Sequence, residues 1–256
     1  MKMRIWIGAS ALVVGALFFG PAAQADDLAR IREDGKMSVA LSGAFPPMSF
    51  VDENNDVVGF DVDIGSELAR RIGVEPEIVT TAWEGIIAGL VTGRFDTIVG
   101  SMGITEERKQ AVDFVGPYYR SGLAVFVMPD SPARSLADLS DRTIGVSIGT
   151  LSEQWANDRG GWTVRTYKGL PELYLELKAG RIDAFIDDDV PVLAAIKGGE
   201  NFRQIEDDTL PVSDIGIAIR KDSPELKAAL QKALDDMMAD GTYMEISNKW
   251  LGADMR

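Results

Sequence analysis

Leu90-Val91-Thr92-Gly93-Arg94-Phe95-Asp96 returns 87 residues later as Leu177-Lys178-Ala179-Gly180-Arg181-Ile182-Asp183. Each copy ends a helical pattern at glycine and runs into an apolar strand, at 97–99 in the first case and 184–186 in the second. At the same offset, Ser101 just past the first strand corresponds to Asp188 just past the second. The repeat predicts two similar α/β lobes that place equivalent loops at equivalent strand ends. Ligands in open α/β sheets bind outside the carboxyl ends of the strands. Ser101 and Asp188 are therefore expected to face each other across a cleft between the lobes.

The flanking sequence keeps the same grammar. Strands are expected at 37–41, 78–79 and 97–99, with helices at 61–72 and 84–91. The helix 61–72 carries Ile64, Leu68 and Ile72 on one face and stops at Gly73. Further strands at 143–146, 164–167, 184–186, 202–205 and 215–219 alternate with helices at 150–157, 171–179 and 190–196. Two helices, 223–239 and 243–250, close the chain. Such alternation is the signature of α/β architecture. No low-complexity linker divides the halves. Residues 116–122 are expected to carry the chain across and 210–214 to carry it back. Residues 26–119 and 215–256 then form one lobe and 120–214 the other, joined by two hinge strands that suit cleft closure.

Residues 1–25 stand apart. Lys2 and Arg4 precede an apolar run from Ile5 to Phe19, followed by Ala23-Gln24-Ala25. A basic start, a short apolar stretch and an A-x-A site predict a secretory leader cleaved after Ala25. The run falls short of the roughly 20 residues needed to span a bilayer. A soluble periplasmic protein is expected.

Composition removes much chemistry. The 256 residues include no Cys and no His. Thiolate metal sites, a Cys nucleophile, a Ser-His-Asp triad and His-ligated metals are excluded together. No metal and no cofactor is expected. The formal charge of −14 repels phosphate backbones and gives no pull toward anionic lipid, so neither nucleic acid nor membrane is an expected partner.

Candidate binding residues lie at helix starts and strand ends. Ile104-Thr105-Glu106-Glu107-Arg108 reads as a helix start with Thr105 as its cap. An Arg in a first turn opposes the helix dipole unless its guanidinium turns back to hold an anion in a bidentate pair. The plainer reading is a solvated Arg paired with Glu106 or Glu107. Gly149-Thr150 opens another helix, whose N–H groups are either simply capped or bind a carboxylate. Asp187-Asp188-Asp189 exceeds what capping needs, and one of the three aimed into a cleft would hold an ammonium group. A divalent metal there is the weaker alternative, since no EF-hand spacing exists. Phe45 and Trp83, in loops after strands, either pack in the core or clamp a ligand's carbon chain. Glu84 supports the first turn of its helix.

Taken in order, these segments resemble the periplasmic solute-binding proteins of polar amino-acid ABC transporters. The resemblance rests on Gly59-Phe60-Asp61-Val62-Asp63, Trp83-Glu84-Gly85-Ile86-Ile87, Gly93-Arg94-Phe95-Asp96, Ile104-Thr105-Glu106-Glu107-Arg108 and Asp113-Phe114-Val115-Gly116-Pro117-Tyr118-Tyr119. It continues through Ser135-Leu136-Ala137-Asp138-Leu139, Ile144-Gly145-Val146 with Gly149-Thr150, Gly180-Arg181-Ile182-Asp183-Ala184, and the tail from Asp240-Gly241-Thr242-Tyr243 to Lys249-Trp250-Leu251-Gly252. It implies the two-lobed periplasmic binding protein fold (type II), closing on one amino acid and delivering it to an inner-membrane permease with a cytoplasmic ATPase. It also implies that Arg108 takes the α-carboxylate, helped by the backbone at Gly103 and Thr150. Asp188 and Ser101 would take the α-ammonium, with Phe45 as an aromatic lid and Trp83 as a second wall.

The chain departs from the family pattern at two places. Relatives often carry Ser or Thr where Gly103 stands, so a roomier pocket is expected there. Relatives selecting cationic side chains often carry Asp where Ser42 stands; here Asp187 is the residue that could restore a negative charge. Ser147 and Ser152 are polar, neutral candidates for side-chain contacts. The expectation is a monomeric, non-enzymatic binder of a polar amino acid or a close derivative. The alternatives are a cyclohexadienyl or arogenate dehydratase on the same fold, and a ligand sensor that docks on a receptor.

Overall fold

The computed structural model describes residues 27–256, and the expected leader 1–25 lies outside the described residues. The chain opens with α1 (Asp27–Asp34) and β1 (Lys36–Leu41). A small antiparallel sheet of β2 (Ala44–Phe45), β3 (Ser49–Val51) and β4 (Val57–Val58) follows. Then come α2 (Phe60–Arg71), β5 (Glu75–Thr80), α3 (Ile86–Val91), β6 (Thr97–Gly103) and α4 (Glu106–Ala111). The long strand β7 (Val112–Val127) leads into β8 (Thr143–Ser147), α5 (Leu151–Arg159), β9 (Thr163–Tyr167), α6 (Leu170–Lys178), β10 (Ala184–Asp188), α7 (Asp189–Lys197) and β11 (Arg203–Ile205). The chain ends with β12 (Val212–Arg220), α8 (Pro224–Asp240) and α9 (Thr242–Leu251).

One sheet runs through the molecule in the order β5-β1-β6-β12-β7-β10-β8-β9, with β11 also on β7. β7 makes it continuous. Its residues up to Gly122 pair antiparallel with β12, and from Leu123 onward it pairs with β10. On either side of this ribbon lie parallel strands, β5, β1 and β6 in one half and β10, β8 and β9 in the other. Alternation then buries both faces of each half. In the second half, Leu123, Val125 and Val127 feed one apolar cluster while Ala124 and Phe126 feed the other. The first half is likewise covered on one face by α2, α8 and α9 and on the other by α3.

The sequence repeat has a physical cause. Leu90 and Leu177 are both buried at the last turn of their helices. Gly93 and Gly180 then take φ of 74° and 67°, which L side chains avoid. The aspartate that follows reaches the start of the neighbouring parallel strand. Asp96 accepts the Ser38 N–H at 2.8 Å, and Asp183 accepts the Thr143 N–H at 2.8 Å. Each half therefore uses the same stitch to fix a buried strand.

Some expected boundaries shift. Residues 116–122 lie inside β7, and Val212 already opens β12. Arg120, Ser121 and Gly122 pair with Asp214, Ser213 and Val212, so the two expected hinge strands form one hydrogen-bonded ribbon. Arg120 and Asp214 add an exposed ion pair at 2.8 Å. α3 starts at Ile86, because Gly85 before it takes φ 81°; Glu84 is exposed and lies outside the helix it was expected to support. The ordered segments α1 and β2–β4 were not anticipated. They are short, and little in their sequence alternates.

Candidate functional site

The carboxyl ends of the parallel strands in both halves open onto one cavity. All ten candidate residues line it. Ser42, Phe45, Trp83, Ser101, Gly103 and Arg108 come from the first half, and Ser147, Thr150, Asp187 and Asp188 from the second. Ala44, Gly100, Leu151, Ser152, Lys168, Gly169, Ser213 and Ile215 complete the walls. Of these, only Ser152 was singled out from sequence.

Arg108 is held from two sides. The Thr105 hydroxyl accepts the Arg108 N–H at 3.1 Å, which starts α4. The Arg108 Nη1 donates back to the Gly103 carbonyl at 2.9 Å. Among the described residues no carboxylate lies within 4 Å of its guanidinium, and Glu106 pairs with Lys109 instead. The solvated-pair reading therefore fails. Burial lowers the Arg108 pKa from its ordinary value, and the nearby Asp188 opposes that shift. A guanidinium has five N–H donors. One of the Arg108 set is used, and the fork is available to an anion.

The three aspartates separate by environment. Asp187 is buried and internally satisfied: Oδ1 accepts the Asp188 N–H at 2.9 Å, and Oδ2 accepts the Ser147 hydroxyl at 3.1 Å. Burial raises its pKa, and both of its oxygens are already occupied within the protein. Asp189 turns to the crossing ribbon, where Oδ1 accepts from the Ser121 hydroxyl at 2.8 Å and the Gly122 N–H at 3.0 Å. Asp188 caps α7 with its backbone alone, and its carboxylate has no hydrogen-bond donor among the described residues. Burial raises its pKa well above the usual range, with Asp187 and Asp189 adding to the rise and Arg108 opposing it. It is the one carboxylate of the three left for a cation. No group of His, Cys, Asp or Glu among the described residues is placed to hold a metal ion.

Ser101 brings a layer that the sequence did not reveal. It takes φ 59°, uncommon for a residue with a side chain. Its hydroxyl donates to Asp61 Oδ2 at 2.7 Å, and the Tyr118 hydroxyl donates to Asp61 Oδ1 at 2.7 Å. The Ser101 N–H in turn donates to the Tyr118 oxygen at 3.0 Å. Asp61 is fully buried, and burial pushes its carboxyl up to about 7 against the pull of those two hydroxyls. Ser101 also lines the cavity, so its hydrogen bond to Asp61 fixes the hydroxyl at that wall. The signal for Asp61 was its place in a helix's first turn, where an acidic residue also has a routine explanation.

Thr150 spends its side chain locally. Its hydroxyl donates to the Ser147 carbonyl at 2.6 Å and accepts the Glu153 N–H at 3.3 Å. What it offers the cavity is the open first turn of α5, whose N–H groups have no partner within the helix. Ser42 is partly buried and accepts the Ala44 N–H at 3.2 Å.

The halves touch around the cavity. The Trp83 indole N–H donates across to the Gly149 carbonyl at 3.2 Å. Phe45 packs against apolar clusters of both halves. A Cβ on Gly169 would sit 2.3 Å from the Ala44 carbonyl oxygen, and one on Gly103 would sit 2.7 Å from Leu151 Cδ1. The expectation of a roomier pocket at Gly103 is thus corrected. Leu151 crosses from the other half into the space that a side chain at 103 would need.

The profile of the bacterial extracellular solute-binding proteins, family 3, matches residues 37–253. The chain belongs to that family. It is 33% identical over 231 residues to the L-cystine-binding protein of Escherichia coli (strain K12), covering 89% of this chain and 87% of the relative. The L-arginine-binding protein of Pseudomonas aeruginosa is 32% identical over 267 residues, covering 100% and 98%. Among solved structures, a mutant of ArgBP from T. maritima superposes with a TM-score of 0.83 at 36% identity, over 88% of this chain and 99% of that one. An ancestral amino acid-binding protein, a precursor of cyclohexadienyl dehydratase, gives 0.83 at 35% identity over the same shares. The fold is accordingly the two-lobed α/β arrangement with its cleft between lobes. Among the described residues no helix is long and apolar enough to cross a membrane.

Proposed function

We propose that this protein captures a polar amino acid, or a close derivative, by closing two lobes around it, and hands it to an ABC permease outside the cytoplasm. Residues 26–119 and 215–256 form one lobe and 120–214 the other. Arg108 of the first lobe takes the α-carboxylate in a bidentate pair, supported by the α5 amides from Thr150 onward. Asp188 of the second lobe takes the α-ammonium, with the Ser101 oxygen as a second acceptor. Trp83 and Phe45 flank the carbon chain. The observation that carries this reading is that a guanidinium and a carboxylate, one from each half, border the same cavity with no charged partner within 4 Å among the described residues.

Excluding water strengthens both ion pairs, and a ligand lacking either charge leaves a buried group unpaired. No step of this function makes or breaks a covalent bond. The leader 1–25 directs the chain to the periplasm, where the mature monomer docks on the permease. A thermal-shift screen of the twenty amino acids with cystine, opines and polyamines tests the proposal. A ligand at 100 times its Kd adds about 2.7 kcal/mol of stability. No response to any amino acid, together with aromatisation of added prephenate or arogenate, would replace it with the dehydratase reading.

A further inference from the structure

The cavity has a cationic wall that neither end of a bare zwitterion engages. Arg108 and Asp188 match the two ends of an α-amino acid, and both Asp187 oxygens are already used, by the Ser147 hydroxyl and the Asp188 N–H. Lys168 remains. Its backbone N–H donates to Glu172 at 3.0 Å, but among the described residues its ammonium has no carboxylate within 4 Å.

Its position in the fold gives that charge a target. Asp188 ends β10, Ser147 ends β8 and Lys168 follows the end of β9, and these three strands are neighbours in that order. Adjacent strands lie about 4.8 Å apart, so the backbone at Lys168 is displaced from that at Asp188 by roughly 10 Å along the row of strand ends. This spacing suits the far end of a ligand whose ammonium sits on Asp188. Gly169, next to Lys168, and Ala44, packed against Gly169, are neutral walls of the cavity. The Glu172 carboxylate is held on the Lys168 backbone N–H and lies beyond 4 Å of its ammonium, so a ligand carboxylate would find that ammonium unpaired and a cationic side chain would be repelled by it. The chain's overall charge of −14 repels anions from a distance, but screening over about 8 Å at physiological salt leaves the local lysine to decide.

Resting on the amino-acid reading above, we propose that Lys168 is a specificity-determining residue and that the preferred ligand carries a second carboxylate at the end distant from its α-carbon centre. L-Glutamate and L-cystine share that chemistry and differ in reach.

The test is calorimetry of the mature protein with L-glutamate, L-cystine, L-glutamine and L-arginine at 150 mM salt, repeated on Lys168→Gln and Lys168→Glu. Lys168 is exposed, so both variants are expected to melt near the parent temperature. One of the two diacids should bind at least tenfold tighter than glutamine and arginine, and which one does fixes the reach. Lys168→Gln should cut the ratio of diacid to glutamine affinity at least tenfold, and Lys168→Glu should move the preference toward arginine. Equal or tighter binding of arginine or glutamine by the parent, or an unchanged ratio in Lys168→Gln, overturns the assignment of Lys168 and leaves amino-acid capture standing. Failure of all four, with no response in the wider amino-acid screen, overturns both.

Discussion

Replacing Arg108 with alanine separates a binding role from a structural one. Within the protein the guanidinium makes one hydrogen bond, to the Gly103 carbonyl at 2.9 Å, and no ion pair among the described residues. Burial already disfavours its charge. Truncation therefore removes little that stabilises the fold, and the unfolding free energy should change by no more than about 1 kcal/mol, the net worth of one hydrogen bond. Binding should respond differently. Truncating one partner of a buried, hydrogen-bonded charge pair costs about 2–5 kcal/mol, and each 1.4 kcal/mol is tenfold. Affinity should fall by roughly 30-fold to a few thousand-fold. Arg108→Lys keeps the charge but loses the planar fork, so it should fall between the parent and the alanine variant. Titration calorimetry of both variants against the best ligand from the screen, beside their melting curves, provides the comparison. An alanine variant that binds within threefold of the parent would refute the assignment.

Other outcomes follow from the same geometry. Asp188→Asn should weaken binding at least tenfold, whereas Asp189→Asn should act mainly on the crossing ribbon, lowering the melting temperature more than the affinity. Asp61 predicts a pH dependence. Its folded pKa, about 7, stands above the ordinary 3.8, so the folded state holds a proton that the unfolded chain has released. Its contribution to stability is then fully present below about pH 4 and is lost as pH rises toward 7, by at most about 1.4 kcal/mol per pH unit. Denaturant melts of Asp61→Asn should show a flatter slope across that window, and a steeper one would contradict the argument. Gly169→Ala should keep the fold but obstruct closure, because the added methyl meets the Ala44 carbonyl at 2.3 Å. Small-angle scattering with ligand should show the parent contracting and the variant remaining extended.

Much of this molecule was legible because local chemistry and global position agree. The repeat around Gly93 and Gly180 announced two equivalent halves, and the halves do use the same aspartate stitch. The ten candidate residues line one cavity because they stand in or near strand ends and helix starts, where side chains of parallel α/β layers converge. The rest depended on partners distant in sequence. Asp61 looked like a first-turn acid and proved to be the buried acceptor for Ser101 and Tyr118, 40 and 57 residues away. Leu151 read as an ordinary helix residue, and only the approach of the two halves sets it over Gly103. Lys168 obeys the same strand-end rule as Ser147, but nothing in the sequence distinguishes it from any other exposed lysine. The crossing at 116–122 was legible as a hinge strand, but its pairing with 212–214 in one ribbon, which keeps a Gly- and Pro-bearing segment extended, depends on a partner about 90 residues away.

The crystal structure of the complex with the tightest amino acid from the screen examines the central proposal most directly. The α-carboxylate should lie about 3 Å from the Arg108 guanidinium and the α-ammonium about 3 Å from the Asp188 carboxylate, with Trp83 and Phe45 on either side of the carbon chain. A ligand seated elsewhere, or one held with its ammonium end away from Asp188, would contradict it.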